Sequence, residues 1–102
     1  MIRLVVTLTA KPGRRDEVLA AFQANVPNVL AEKGCVEYGA YLDAEGIGPI
    51  QTKIGPDAIM ILETWESPEA LAAHGVAPHM KEYGKTTKDL LESRVIHVLS
   101  AA

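Results

Sequence analysis

Apolar residues alternate with polar ones from Ile2 to Thr9. Ile2, Leu4, Val6 and Leu8 fall on one side and Val5, Thr7 and Thr9 on the other, the two-residue period of a strand. Lys11-Pro12-Gly13 ends that strand. From Arg14 to Lys33 the period changes to 3.6. Val18, Leu19, Phe22, Val26, Val29 and Leu30 then share one face of a helix. Pro27 is expected to kink or split this helix, because it lacks an N–H and clashes with the preceding turn. Gly34 stands where a C-terminal cap belongs. Cys35 to Asp43 reads as a second strand, and Ala44 to Asp57, rich in glycine and proline, as a long connection with a short strand around Ile50 to Lys53. Ala58 to Trp65 is the third strand. Ser67 caps a following helix, with Pro68 at its first position and Glu69 in its first turn. That helix breaks at Gly75, resumes at Pro78 and runs towards Glu92, and Arg94 to Leu99 closes the chain as a fourth strand.

The order β-α-β-β-α-β predicts an α+β fold, a ferredoxin-like sandwich with an antiparallel four-stranded sheet, as one domain over residues 1–102. Two helices cover only one face of such a sheet. Yet the third strand is apolar on both sides, with Ala58, Met60 and Leu62 on one and Ile59, Ile61 and Trp65 on the other. A second cover is needed, and a second copy of the chain is the simplest, which predicts a twofold homodimer.

Composition changes this picture little: 48% hydrophobic and 23% charged residues are ordinary for a globular protein. A net charge of −3 does not favour a nucleic-acid partner. No apolar run approaches the roughly 20 residues of a membrane span, and Met1 to Val6 lacks the layout of a signal peptide. The single Cys35 excludes an internal disulfide and a cysteine-based zinc cluster, which points to a reducing cytoplasm. Glycine-rich phosphate loops, a Gly-x-Ser-x-Gly elbow and an EF-hand loop are all missing, so nothing predicts a nucleotide or a bound redox cofactor.

Chemistry concentrates between Glu63 and Tyr83. His74 lies three residues after Leu71 and four after Ala70, on their inward face. It is a candidate general base, or else a half-buried histidine packed on the sheet. His79 and Tyr83 are four apart and share a helix face, suited to holding a substrate oxygen or to ordinary rim packing. Gly75 and Pro78 between His74 and His79 argue against a helical metal pair. Trp65 offers a flat wall for an aromatic ligand, or a core or interface indole, and Met80 shapes the same pocket. Tyr38 and Tyr41 have opposite parity, so only one faces the helices. Thr7 is a candidate for the cavity floor. Glu63 and Arg94 are further candidates, though a cross-strand pair between them is an adequate structural account.

Several of these runs resemble the antibiotic biosynthesis monooxygenase family. They are Trp65-Glu66-Ser67 through Leu71 and His74, Lys11-Pro12-Gly13, Glu32-Lys33-Gly34-Cys35 through Tyr38, and Pro78-His79-Met80-Lys81 through Tyr83. The long connection, Val26-Pro27 and the Pro78-His79-Met80 run look closest to the bacterial quinol monooxygenase subgroup. The resemblance implies a dimeric α+β barrel and oxidation of a quinol or similar aromatic by O₂, in several members without metal, flavin or haem. In the haem-degrading branch three positions carry Asn, Trp and His, where this chain has Thr7, His74 and Gly84. The polyketide-oxidising branch has an asparagine at the place of Leu62. The resemblance therefore implies His74 as base, with His79, Tyr83, Trp65, Met80, Tyr38 and Thr7 around the substrate. A phenol has a pKa of about 10 and an imidazole about 6.5, so the transfer runs uphill by roughly 4.8 kcal/mol unless the pocket stabilises the phenolate. The rival reading is an isomerase of a small phosphorylated sugar on the same fold, with Lys81, Lys85 and Lys88 as its cations; a third is a non-catalytic dimer that binds quinones.

Overall fold

The alternation at Ile2 to Thr9 does produce a strand, and it becomes the middle of the molecule. In the computed structural model, which describes residues 1–102, strand β1 (Ile2–Ala10) lies between β3 (Ala58–Trp65) and β4 (Leu91–Leu99), and β2 (Cys35–Tyr41) borders β3. The sheet order is β2-β3-β1-β4, antiparallel throughout, which is the ferredoxin-like arrangement. Three helices, α1 (Arg15–Leu30), α2 (Pro68–Gly75) and α3 (Pro78–Thr87), cover one face. The core is the row Leu4, Val6, Leu8 and Ala10 of β1, with Ile59, Ile61 and Trp65 of β3, against Val18, Phe22 and Val29 of α1.

Several local expectations need correction. Helix α1 runs unbroken through Pro27. Proline removes a single hydrogen bond there, close to the C-terminal end, and Ala31 still donates to the Pro27 carbonyl at 3.2 Å. Leu30, expected on the inward face, is half exposed, whereas Asn25 is buried. No strand forms at Ile50 to Lys53. The connection is closed instead by Asp43, whose two carboxylate oxygens accept from the backbone N–H groups of Ile54 (2.8 Å) and Gly55 (3.0 Å). These bonds hold the Asp43 carboxyl below the usual aspartate range. A depressed carboxyl stabilises the fold above its unfolded pKa and loses that effect as pH falls through the folded value. Asp43→Ala is therefore expected to speed amide exchange at Ile54 and Gly55 at neutral pH, with the difference from wild type vanishing in acid. Equal exchange rates at neutral pH contradict this account of the loop.

Helix α3 stops at Thr87 rather than near Glu92, and β4 begins at Leu91, three residues earlier than expected. A tight turn makes the switch: Leu90 N donates to the Thr87 carbonyl at 2.9 Å, and Lys11 N donates to the Leu90 carbonyl at 2.9 Å. Ser67 caps α2 as predicted, its hydroxyl accepting from Ala70 N at 3.1 Å.

The second face of the sheet carries no helix. Register places Val5, Met60, Leu62, Val95 and Leu99 there, together with Thr7, whose hydroxyl donates to Met60 Sδ at 3.4 Å. Val95 and Leu99 are about half exposed. No helix is long and apolar enough to cross a membrane.

Candidate active site

Between the sheet and the helices lies a cavity of about 280 Å³. Its floor is Leu4, Val6 and Leu8 of β1 with Ile61 of β3, and Leu71 and Met80 roof it from α2 and α3. Into this apolar space the fold brings five side chains with chemistry: Tyr38, Glu63, His74, Tyr83 and Arg94.

His74 arrives there because Ser67 and Pro68 set the start of α2, which puts position 74 on the same inward side as Leu71. Its Nδ1 lies 2.8 Å from Glu32 Oε2. A carboxylate accepts, so Nδ1 donates, and in the neutral imidazole Nε2 is then the basic nitrogen. Nε2 makes no hydrogen bond within the protein and is not sealed from accessible space. Glu32 Oε2 also accepts from His79 Nε2 at 3.0 Å, so one carboxylate holds both rings. Sequence reasoning singled out the two histidines but not Glu32 as their tether. A signal existed: an acidic side chain just past a helix C-terminus is disfavoured by the helix dipole and calls for another partner.

Glu63 is buried on β3, and its Oε1 accepts from the Trp65 indole N–H at 2.9 Å. Burial raises its carboxyl above the ordinary range, with Glu32 adding to the shift; the indole hydrogen bond and the His74 charge oppose it. Tyr38, pushed strongly upward mainly by burial, is a neutral phenol. The Tyr83 phenol is pushed up to about 12, again by burial, with Arg94 opposing. Its Oη is buried without a hydrogen-bond partner. An aromatic stack fixes these groups: Phe22 lies on Tyr38 (centroids 4.8 Å apart) and meets Tyr83 edge-on (6.3 Å), and His74 sits 5.7 Å from Tyr38 and 4.6 Å from Trp65.

The expected site residues thus divide. His74, Met80, Tyr83 and Tyr38 line the cavity together. Tyr41 points to the other face and is half exposed, which settles the parity question in favour of Tyr38. Thr7 is a correction: it lies on the helix-free face, because Leu4, Val6 and Leu8 occupy the inward positions of β1. Trp65 does not line the cavity; it is wholly buried behind His74. His79 lies in a separate recess between α1 and α3, beside Asn25, Asn28 and Glu82. The Glu63–Arg94 cross-strand pair does not form, since β1 separates β3 from β4. Lys81, Lys85 and Lys88, the cations expected for the sugar-phosphate reading, are exposed on or just after α3 and none lines the cavity; the cation that does is Arg94. Groups of three or more His, Cys, Asp or Glu side chains able to hold a metal are absent.

An apolar pocket on one face of a ferredoxin-like sheet, with a carboxylate-tethered histidine inside it, is the form of a small-molecule enzyme. Residues 1–86 match the family described as antibiotic biosynthesis monooxygenase, and the chain belongs to that family. It is 37% identical over 98 residues to the Escherichia coli K12 protein named probable quinol monooxygenase YgiN, covering 93% of each chain. Among solved structures it is similar in fold to PA3566 from Pseudomonas aeruginosa (TM-score 0.81, 24% identity, 99% of this chain and 93% of that one). Rv0793 from Mycobacterium tuberculosis is similar in the same way (TM-score 0.80, 24% identity, 99% and 94%). Family and relative together make the protein a monooxygenase, an oxidoreductase that acts on a small molecule with O₂.

Proposed function

We propose that the substrate is a quinol or a similarly electron-rich aromatic alcohol, oxidised by O₂ without a resident cofactor. The observation that carries this is His74 Nε2, a free basic nitrogen in an apolar cavity, backed by Glu32 on Nδ1. His74 takes the proton of a substrate hydroxyl, and Glu32 stabilises the imidazolium that forms. The phenolate then gives one electron to O₂, and the two radicals collapse. The products balance in either of two ways: quinone with hydrogen peroxide, or hydroxyquinone with water. The low polarity of the cavity walls excludes water from the pair. Tyr38 and Tyr83, both neutral phenols, donate hydrogen bonds to substrate oxygens, and Met80 closes over the ring. The similarity to a named quinol monooxygenase supports the substrate class.

The test is O₂ uptake by purified, metal-free protein with reduced benzo- and naphthoquinols, corrected for autoxidation. Saturable uptake is expected. Uptake that never exceeds the autoxidation rate contradicts the proposal.

A second copy of the chain covers the helix-free face in this proposal, giving a homodimer. The support is the apolar row Val5, Met60, Leu62 and Val95 on a sheet face that no helix shields. Light scattering should give twice the 11.0 kDa chain mass, and Leu62→Glu should halve it. A monomeric wild type refutes the dimer.

A further inference from the structure

The cavity has two chemically different ends. On the inward face of the sheet, Leu4 of β1 stands opposite Glu63, and Glu63 opposite Tyr38. Leu8, four positions along β1, stands opposite Arg94 of β4. At a rise of about 3.3 Å per residue the acidic and cationic rows are roughly 13 Å apart. Val6, Ile61 and Ile96 fill the interval with apolar surface. His74 belongs to the Glu63 end, where its ring packs against Tyr38 and Trp65.

At the other end Arg94, exposed on the edge strand β4, lines the mouth of the cavity and enters none of the ion pairs of the chain. Its charge and, less strongly, that of Glu63 both reach the Tyr83 phenol, whose Oη is buried and unpartnered. Buried donors without acceptors are rare in folded proteins and ask for an explanation. A guanidinium and a neutral phenol are both donors, and the acceptor that satisfies both is an anionic oxygen. The one ionisable carboxyl that lines the cavity, Glu63, stands four β1 positions from the Arg94 row, and it acts on the Tyr83 phenol less than Arg94 does.

From this arrangement we infer that the cavity selects an aromatic alcohol bearing an anionic substituent, with its hydroxyl at His74 and its anion at Arg94 and Tyr83. The Arg94 stem spans part of the 13 Å interval. A fused two-ring body spans the remainder better than a single ring. The apolar walls favour an aromatic carboxylate over a sugar phosphate, which would leave its hydroxyls unsatisfied there. The inference rests on the proposed function for the identity of the ring, while the anion position stands on Arg94 and Tyr83 alone.

The experiment has a turnover arm and a binding arm. In the first, kcat/KM is compared for 1,4-dihydroxy-6-naphthoate and for 6-methyl-1,4-naphthoquinol, a pair that differs in the charged group on the ring away from the quinol. The carboxylated quinol is expected to be preferred, and Arg94→Met to reduce the ratio about 10- to 100-fold, as for loss of a charge-assisted hydrogen bond. Tyr83→Phe reduces the ratio less. Lys88→Met makes the same charge change outside the cavity and keeps the wild-type ratio. In the second arm, calorimetry follows 6-hydroxy-2-naphthoate, whose hydroxyl and carboxylate lie at opposite ends of the two rings, and ribose 5-phosphate, without turnover. Tight naphthoate binding that Arg94→Met weakens, with no O₂ uptake on any quinol, upholds the anion site and sinks the oxidation chemistry. Equal kcat/KM for the two quinols in wild type, or equal loss for both in Arg94→Met, overturns the inference. Displacement of the naphthoate by ribose 5-phosphate at similar concentration overturns the aromatic assignment.

Discussion

Replacing His74 with alanine should lower kcat about 10²–10⁴-fold, the usual contribution of a positioned general base, or roughly 2.7–5.4 kcal/mol of barrier. The size of the effect follows from the geometry. Glu32 fixes the ring through Nδ1, so Nε2 is oriented before substrate binds. Without the ring, the carboxyl left lining the cavity is Glu63. Its raised carboxyl makes it a rival base, but its Oε1 is already engaged by the Trp65 indole. The two candidates separate cleanly. If His74→Ala keeps full activity and Glu63→Gln loses it, the proton goes to Glu63 and the role given to His74 is wrong. Glu32→Gln should fall between wild type and His74→Ala, because it keeps the imidazole and removes the charge that steadies its protonated form. The circular dichroism spectrum of each variant should match that of wild type, since His79 continues to engage residue 32 when His74 is absent.

Gly34→Ala should be the most damaging single-methyl change to stability. Gly34 adopts φ +86°, a left-handed conformation that costs an L-residue about 1–2 kcal/mol. A Cβ there also falls 2.6 Å from the Ala70 Cβ of α2. Neither atom can yield easily, because Glu66 N donates to the Gly34 carbonyl at 2.8 Å and fixes the turn against the start of α2. Overpacking adds about 1–3 kcal/mol. Together these should lower Tm by more than about 10 °C for a domain of this size. Gly13→Ala isolates the backbone component, since Gly13 has φ +76° but open space around its Cβ position. If the two variants melt at the same temperature, the approach of Ala70 carries no energy. The same turn holds Glu32, so Gly34→Ala should also reduce turnover by loosening the carboxylate from His74.

The inward faces of β1 and β3, the cap at Ser67 and the break at Gly75 were all legible from local pattern. They depend on period, capping chemistry and backbone preference, which act within a few residues. The same local rules misjudged the continuity of α1 through Pro27, Ile50 to Lys53 and the start of β4. In each case a particular partner decided the outcome: the remaining bonds of α1, the Asp43 carboxylate, or the Leu90 carbonyl that receives Lys11 N. Thr7 shows the limit for the site. Its polarity on a central strand suggested a cavity position, but the parity of Leu4, Val6 and Leu8 turns it outward.

By itself the sequence determined the element order, the apolar rows that build the core and the presence of His74 on an inward helix face, because each is written in spacing along one segment. Only the tertiary structure decided that Glu32 joins His74 to His79, 42 and 47 residues away. It also decided that Arg94 faces the cavity without Glu63, and that Trp65 lies behind His74 rather than in the cavity wall. Those facts depend on which strands are neighbours and where a helix end meets a distant turn. Such relations arise from packing many segments at once, and no single stretch of the chain encodes them.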